Sequence, residues 1–185
     1  EVLFADAQEI RHQEYRTGTG RGILSTYRGF GKAGESGEYE FQTLVWTENA
    51  TGEVYFEWIP VKEEGLKVKK VFWPGPMEFC EKREDWYTLL TQRQGMLIPN
   101  TWETALKPLA FDGFFGTAGA YMPWFAQVKG REGYLAICTT PWNGGHRAQH
   151  PAGGGFTRVS MYFEPSLGRM DYRRIVKYTF LDDCD

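Results

Sequence analysis

Apolar and polar residues alternate along most of this chain with a period of two, and clusters of glycine, proline and asparagine interrupt the alternation at short intervals. Such alternation puts successive side chains on opposite faces of an extended backbone, one face buried and one wet. Three pairs of these runs are closed by turn-forming residues and read as β-hairpins. Residues 121–128 and 134–140 flank the turn 129–133 with its two glycines, 40–48 and 53–61 flank Asn49-Ala50-Thr51-Gly52, and 86–91 and 95–98 flank Gln92-Arg93-Gln94. In the second hairpin Val54, Phe56 and Trp58 fall on the core face and Tyr55, Glu57 and Ile59 on the other, with Pro60 ending regular pairing.

Further strands are predicted at 23–27, at 156–164 after three glycines, and at 172–181, where Arg174, Val176, Tyr178 and Phe180 share one face. Residues 62–70 read as a half-solvated strand in which Leu66 and Val68 alternate with lysines. Residues 1–38 are expected to form an irregular lead-in or a poorly packed first strand, because Gly18, Gly20 and Gly22 alternate there and more glycines follow at 29, 31, 34 and 37. No run of helical length shows an uninterrupted 3.6-residue period. The expected fold is therefore all-β: an antiparallel two-sheet β-sandwich of roughly ten to twelve strands, counted from the turn signals.

A length of 185 residues supports one sizeable core, so residues 1–185 are read as a single domain. The net charge is −3, with 21 basic residues scattered along the chain, which gives no footprint for nucleic acid or for an anionic membrane surface. No apolar run approaches a membrane span, and the start lacks both an initiator Met and the pattern of a secretory leader. The chain is expected to be soluble, cytoplasmic or secreted, and its abrupt end at Asp182-Asp183-Cys184-Asp185 favours a fragment of a longer chain. Cys80, Cys138 and Cys184 are too far apart for a zinc ribbon or a disulfide framework, and Cys138 reads as a small core residue.

Motifs for several chemistries are missing. There is no GxSxG elbow, Gly34-Glu35-Ser36-Gly37 being one residue short, and no phosphate-cradling GxxxxGK[ST]. His146 and His150 would suit zinc only on a helix, which Gly144, Gly145 and Pro151 oppose, so no metal and no cofactor is expected. Of the acidic residues, Glu57, Glu78, Asp112 and Glu164 stand in aromatic surroundings, but nothing in the sequence pairs them as an acid and a base. Aromatic residues are more informative. Trp46, Trp58 and Trp86 lie inside strands and read as core, whereas Trp73, Trp102, Trp124 and Trp142 stand near glycine or proline in loops, where a planar face can stack on a sugar ring. Residues 141–150 form a polar and aromatic loop suited to a small polar ligand.

The segments VYFEWIPVKEEGLKVKKVFWPGPMEF, LLTQRQGMLIPNTW, FDGFFGTAGAYMPWFAQVKGREGYLAICTTPWN and FEPSLGRMDYRRIVKYTFLDDCD resemble the N-terminal β-supersandwich of large bacterial glycoside hydrolases, a galactose-mutarotase-like sandwich that precedes a catalytic barrel. The resemblance covers about residues 53–185 and rests on the order of strands and loops. It implies a non-catalytic domain, with carbohydrate and a C-terminal catalytic domain of the same parent chain as partners. It also implies sugar contact at Trp142, Asn143, His146, Arg147, Trp73 and Trp124, by loop position. Two other readings remain open at this level. One is a mutarotase-like epimerase using His146 or His150 with Glu164. The other is an assembly domain without sugar binding.

Overall fold

The computed structural model describes residues 3–30, 38–65, 67–77, 84–104 and 108–183. The glycines at 31, 34 and 37, Leu66, Glu78, Cys80 and Cys184 lie outside the described residues.

Thirteen strands are present among the described residues: β1 (Glu9–Arg16), β2 (Gly20–Arg28), β3 (Glu38–Glu48), β4 (Val54–Glu64), β5 (Val71–Phe72), β6 (Trp86–Leu90), β7 (Met96–Pro99), β8 (Leu109–Phe114), β9 (Trp124–Lys129), β10 (Glu132–Cys138), β11 (Gly144–His150), β12 (Arg158–Phe163) and β13 (Arg174–Leu181). One short 3-10 turn, Phe4–Asp6, accompanies them. The strands form a nine-stranded sheet in the order β1-β2-β3-β4-β13-β10-β9-β6-β7 and a four-stranded sheet in the order β5-β12-β11-β8. Every strand pairing in both sheets is antiparallel.

The two sheets share one apolar core. Phe41, Trp58, Phe125 and Tyr178 come from the large sheet, and Ala148, Val159, Met161 and Phe163 from the small one. The period-two reading of β4 holds: Trp58 is fully buried, and Val54 and Phe56 pack against the same cluster. Along β13 the alternation is equally clean, with Arg174, Val176 and Tyr178 buried and the residues between them half-exposed.

Several expectations are corrected. Within the expected irregular lead-in at 1–38, residues 9–28 are regular, because β1 and β2 pair residue for residue from Glu9↔Arg28 to Arg16↔Arg21. β1 still packs poorly, as an edge strand with most of its side chains exposed. Regular pairing does break at Pro60, where the register with β3 shifts between Glu40 and Phe41, but β4 itself runs on through this bulge to Glu64. The half-solvated strand expected at 62–70 is confined to the end of β4, and residues 67–70 are irregular. Residues 141–150 are not one loop: from Gly144 they form β11, clamped between β8 and β12.

Trp46 is not a core residue. It lies on the outer face of the large sheet, stacked on Tyr55 at 4.4 Å, with its indole N–H donating to Glu57 Oε1 at 2.6 Å. The alternating glycines of β2 explain how it fits. A Cβ on Gly22 would lie 2.5 Å from Trp46 Cα and 2.1 Å from the Val45 carbonyl, so only glycine lets the chains approach this closely.

Gly22→Ala should therefore destabilise the domain by about 2 kcal/mol, through overpacking and a shift of β2. At Gly18 a Cβ would meet nothing within 4 Å, so alanine there should change stability by no more than about 0.5 kcal/mol. Urea denaturation of the two variants distinguishes these outcomes.

Candidate functional site

The chain crosses between sheets repeatedly at one end of the sandwich, and two of these crossings run from β10 to β11 through residues 139–143 and from β12 to β13 through residues 164–173. Arg174, at the start of β13, is fully buried and joins the two crossings. One terminal nitrogen donates to the Trp142 carbonyl and the other to the Glu164 carbonyl at 3.0 Å. The guanidinium lies 3.4 Å from the centre of the Tyr172 ring and 5.2 Å from that of Phe163. The Tyr172 hydroxyl donates to the same Trp142 carbonyl at 2.7 Å. No carboxylate is bonded to Arg174 among the described residues, and burial lowers its pKa from the usual arginine value. Carbonyl dipoles and aromatic faces therefore stabilise its charge.

This clamp positions the loop that the sequence marks as functional. Asn143 takes a left-handed conformation with φ 50°, its amide donates to the Pro165 carbonyl at 3.1 Å, and its carbonyl accepts from the Glu164 N–H at 2.8 Å. Trp142 is held by its backbone while its indole is 66% exposed. Trp142 and Asn143 thus stand together on a fixed loop at one end of the sandwich.

The other expected contact residues are dispersed. Arg147 lies on the outer face of the small sheet, donating to Asp112 Oδ2 from Nε at 3.1 Å and from Nη2 at 2.7 Å, with its guanidinium 5.0 Å from the Phe72 ring centre. Trp124 opens β9 and is half-buried. Trp73 is half-buried and stacks on Phe4 at 5.5 Å. His146 points into the core: it is fully buried, neither ring nitrogen has a hydrogen-bond partner among the described residues, and Phe115 lies 6.0 Å away. Burial pushes its pKa down to about 4, so it is neutral near pH 7. His150 is also fully buried, its ring nitrogens engaging Thr157 Oγ1 at 3.0 Å and the Trp102 carbonyl at 2.7 Å. Neither histidine is exposed to a sugar.

The described candidate acids are all paired. Glu57 bonds Trp46 and sits 2.9 Å from Arg173, and Glu164 lies 3.0 Å from Lys70. Burial pushes the Asp112 carboxyl up, but hydrogen bonds from Arg147 and Tyr162 outweigh it and leave the group below its ordinary value. A carboxyl held ionised in this way is poorly suited to donate a proton. Gly145 makes the Tyr162 contact possible, since a Cβ there would lie 2.5 Å from the Tyr162 hydroxyl. Among the described residues no three His, Cys, Asp or Glu side chains converge as a metal site. A cavity of about 380 Å³ opens at the opposite end, beside Tyr134, Phe156, Phe180 and Leu181. Its buried polar groups already bond one another: the Gln127 amide donates to Thr88 Oγ1 at 3.1 Å and to the Thr157 carbonyl at 2.6 Å, and accepts from Tyr134.

Sequence reasoning missed the clamp, although a signal was present. Arg174 shares a strand face with Val176, Tyr178 and Phe180, and a charged residue on an apolar face needs a buried partner.

No family model matches the chain, and no curated protein does. Solved structures do, and they identify the chain as the counterpart, over its whole length, of one part of a large glycoside hydrolase. That enzyme is the α-N-acetylgalactosaminidase NagBb from Bifidobacterium bifidum. Its Gal-NHAc-DNJ and GalNAc complexes each align with a TM-score of 0.91 and 45% identity, and its ligand-free form with 0.88 and 43%. All three alignments cover 100% of this chain and 29% of the other.

Two tests follow. Arg174→Met removes the arginine donor to the Glu164 carbonyl and one of the two donors to the Trp142 carbonyl, and should cost about 3 kcal/mol in urea denaturation. His146 titrates near pH 4 when folded and near 6.5 when unfolded, so its contribution is complete above pH 6.5 and is lost as the pH falls towards 4. The loss should reach about 3 kcal/mol, and His146→Leu should flatten that part of the stability profile.

Proposed function

We infer that the chain is a non-catalytic β-sandwich domain of a glycoside hydrolase acting on α-linked N-acetylgalactosamine, set against a catalytic domain carried elsewhere in a longer chain. The observation that carries this reading is the 45% identity and TM-score of 0.91 to one part of NagBb, maintained over the whole of this chain. The pairing of its described candidate acids and the burial of both core histidines agree with a scaffold role, as catalytic groups need access and a tuned proton affinity. The galactose-mutarotase-like kinship and an N-terminal place in the parent belong to the same proposal.

Sugar contact in this reading falls on Trp142 and Asn143, with Arg147 further along β11, as the rim of a pocket that the catalytic domain completes. Trp142 supports it best, because its backbone is anchored while its indole stays open for stacking.

A longer protein containing this domain should release N-acetylgalactosamine from an α-linked aryl glycoside, and the 185-residue chain alone should not. Turnover by the chain alone would refute the non-catalytic role. In the longer enzyme Trp142→Ala should raise KM about fivefold with kcat unchanged, the loss of about 1 kcal/mol of uniform binding. An unchanged KM would remove Trp142 from the sugar site.

A further inference from the structure

The two ends of the sandwich differ in kind. At the end where β10 runs into β11 and β12 runs into β13, Val61, Tyr121, Met122, Trp142 and Leu167 are 50, 55, 48, 66 and 104% exposed. The turns at the opposite end carry Thr17 and Thr19, Asn49 and Thr51, and Arg131 paired with Asp183 at 2.9 Å. Phe180, Leu181 and Trp102 are also exposed there, but the first two border the cavity described above and Trp102 stacks on the buried His150.

Leu167 is the most telling of the five. It occupies a tight turn closed by Ser166 and Arg169, with φ 51°, followed by Gly168 at φ 80°. Two successive positive φ values favour asparagine or glycine, and a leucine there is strained as well as fully exposed. Neither folding nor solubility favours that choice. A hydrophobic contact outside the chain would.

The loops that carry these side chains are fixed to their neighbours. The Cys138 N–H donates to the Pro123 carbonyl at 2.7 Å, and Thr91 Oγ1 donates to the Met122 carbonyl at 2.7 Å. Arg174 and Tyr172 hold residue 142, Asn143 holds residue 165, and the Met170 N–H donates to Glu63 Oε2 at 3.0 Å beside Val61. An apolar surface presented on fixed loops is preorganised for a stable contact.

We propose that this end, with Leu167, Met122 and Tyr121 at its apolar points, is the surface on which the catalytic part of the longer glycoside hydrolase docks. The proposal rests on the functional reading above. The occupant follows from length, because the chain accounts for 29% of its structural counterpart and the remainder of such an enzyme must pack on some face of it. The outer sheet faces are poorer candidates, since their charges are paired internally as Arg147–Asp112, Lys70–Glu164, Arg173–Glu57 and Lys177–Glu53.

The test introduces single cysteines into the longer enzyme and measures their labelling by a maleimide under native conditions, with the unsubstituted enzyme as background. Leu167→Cys and Met122→Cys should label at least roughly tenfold more slowly than Thr51→Cys at the polar end, as expected for groups covered in the native state. Equal rates in an enzyme that hydrolyses the α-N-acetylgalactosaminide overturn the docking surface and leave the functional reading in place. Slow labelling in an enzyme without that activity keeps the docking surface and overturns the functional reading.

Discussion

The architecture depends on one buried cation. Arg174 sits between two of the segments in which the chain changes sheet, and its guanidinium bonds a carbonyl from each of them. A buried charge is costly unless its donors and its field are answered, and here carbonyl dipoles and the faces of Tyr172 and Phe163 answer most of it. Nε has no hydrogen-bond partner among the described residues. The arrangement is specific because arginine presents several donors in a fixed fork, while lysine would have to satisfy separated carbonyls from a single point. The left-handed Asn143 and the outward indole of Trp142 both lie on the loop that this contact ties down.

The same clamp connects fold to proposed function. With the crossing loops tied down, the end of the sandwich becomes a fixed surface whose apolar side chains point away from the core. The interior has the opposite character, as His146 and His150 are absorbed into the core. Asp112, Glu57 and Glu164 are absorbed into ion pairs. Chemistry-bearing residues are thus engaged internally, while binding-type residues are left outward. That division suits a domain that supports a reaction carried out elsewhere.

Much of the fold was legible in the sequence because period-two patterning acts directly through burial. It identified the hairpins β3–β4, β6–β7 and β9–β10 and the inward face of β4. It failed where local chemistry and tertiary context disagreed. The glycines of β2 looked like breakers, yet they clear a path for the close approach of β3 at Trp46. Gly144 and Gly145 made β11 look like a loop, although they relieve crowding against Phe115, Phe163 and Tyr162. The candidate site was half legible. Trp142 and Asn143 lie together as their adjacency implies, but residues further along alternate between faces once the segment is a strand, which sends His146 inward and Arg147 outward.

The most direct test of a clamped, docking end is a crystal structure of the longer glycoside hydrolase that contains this chain. Residues 120–123, 141–143 and 165–170 should lie against the catalytic part, with Trp142 at the margin of its sugar pocket and the turns at 49–52 and 130–131 in solvent. A catalytic part packed on those polar turns, with Leu167 and Trp142 facing solvent, would contradict it.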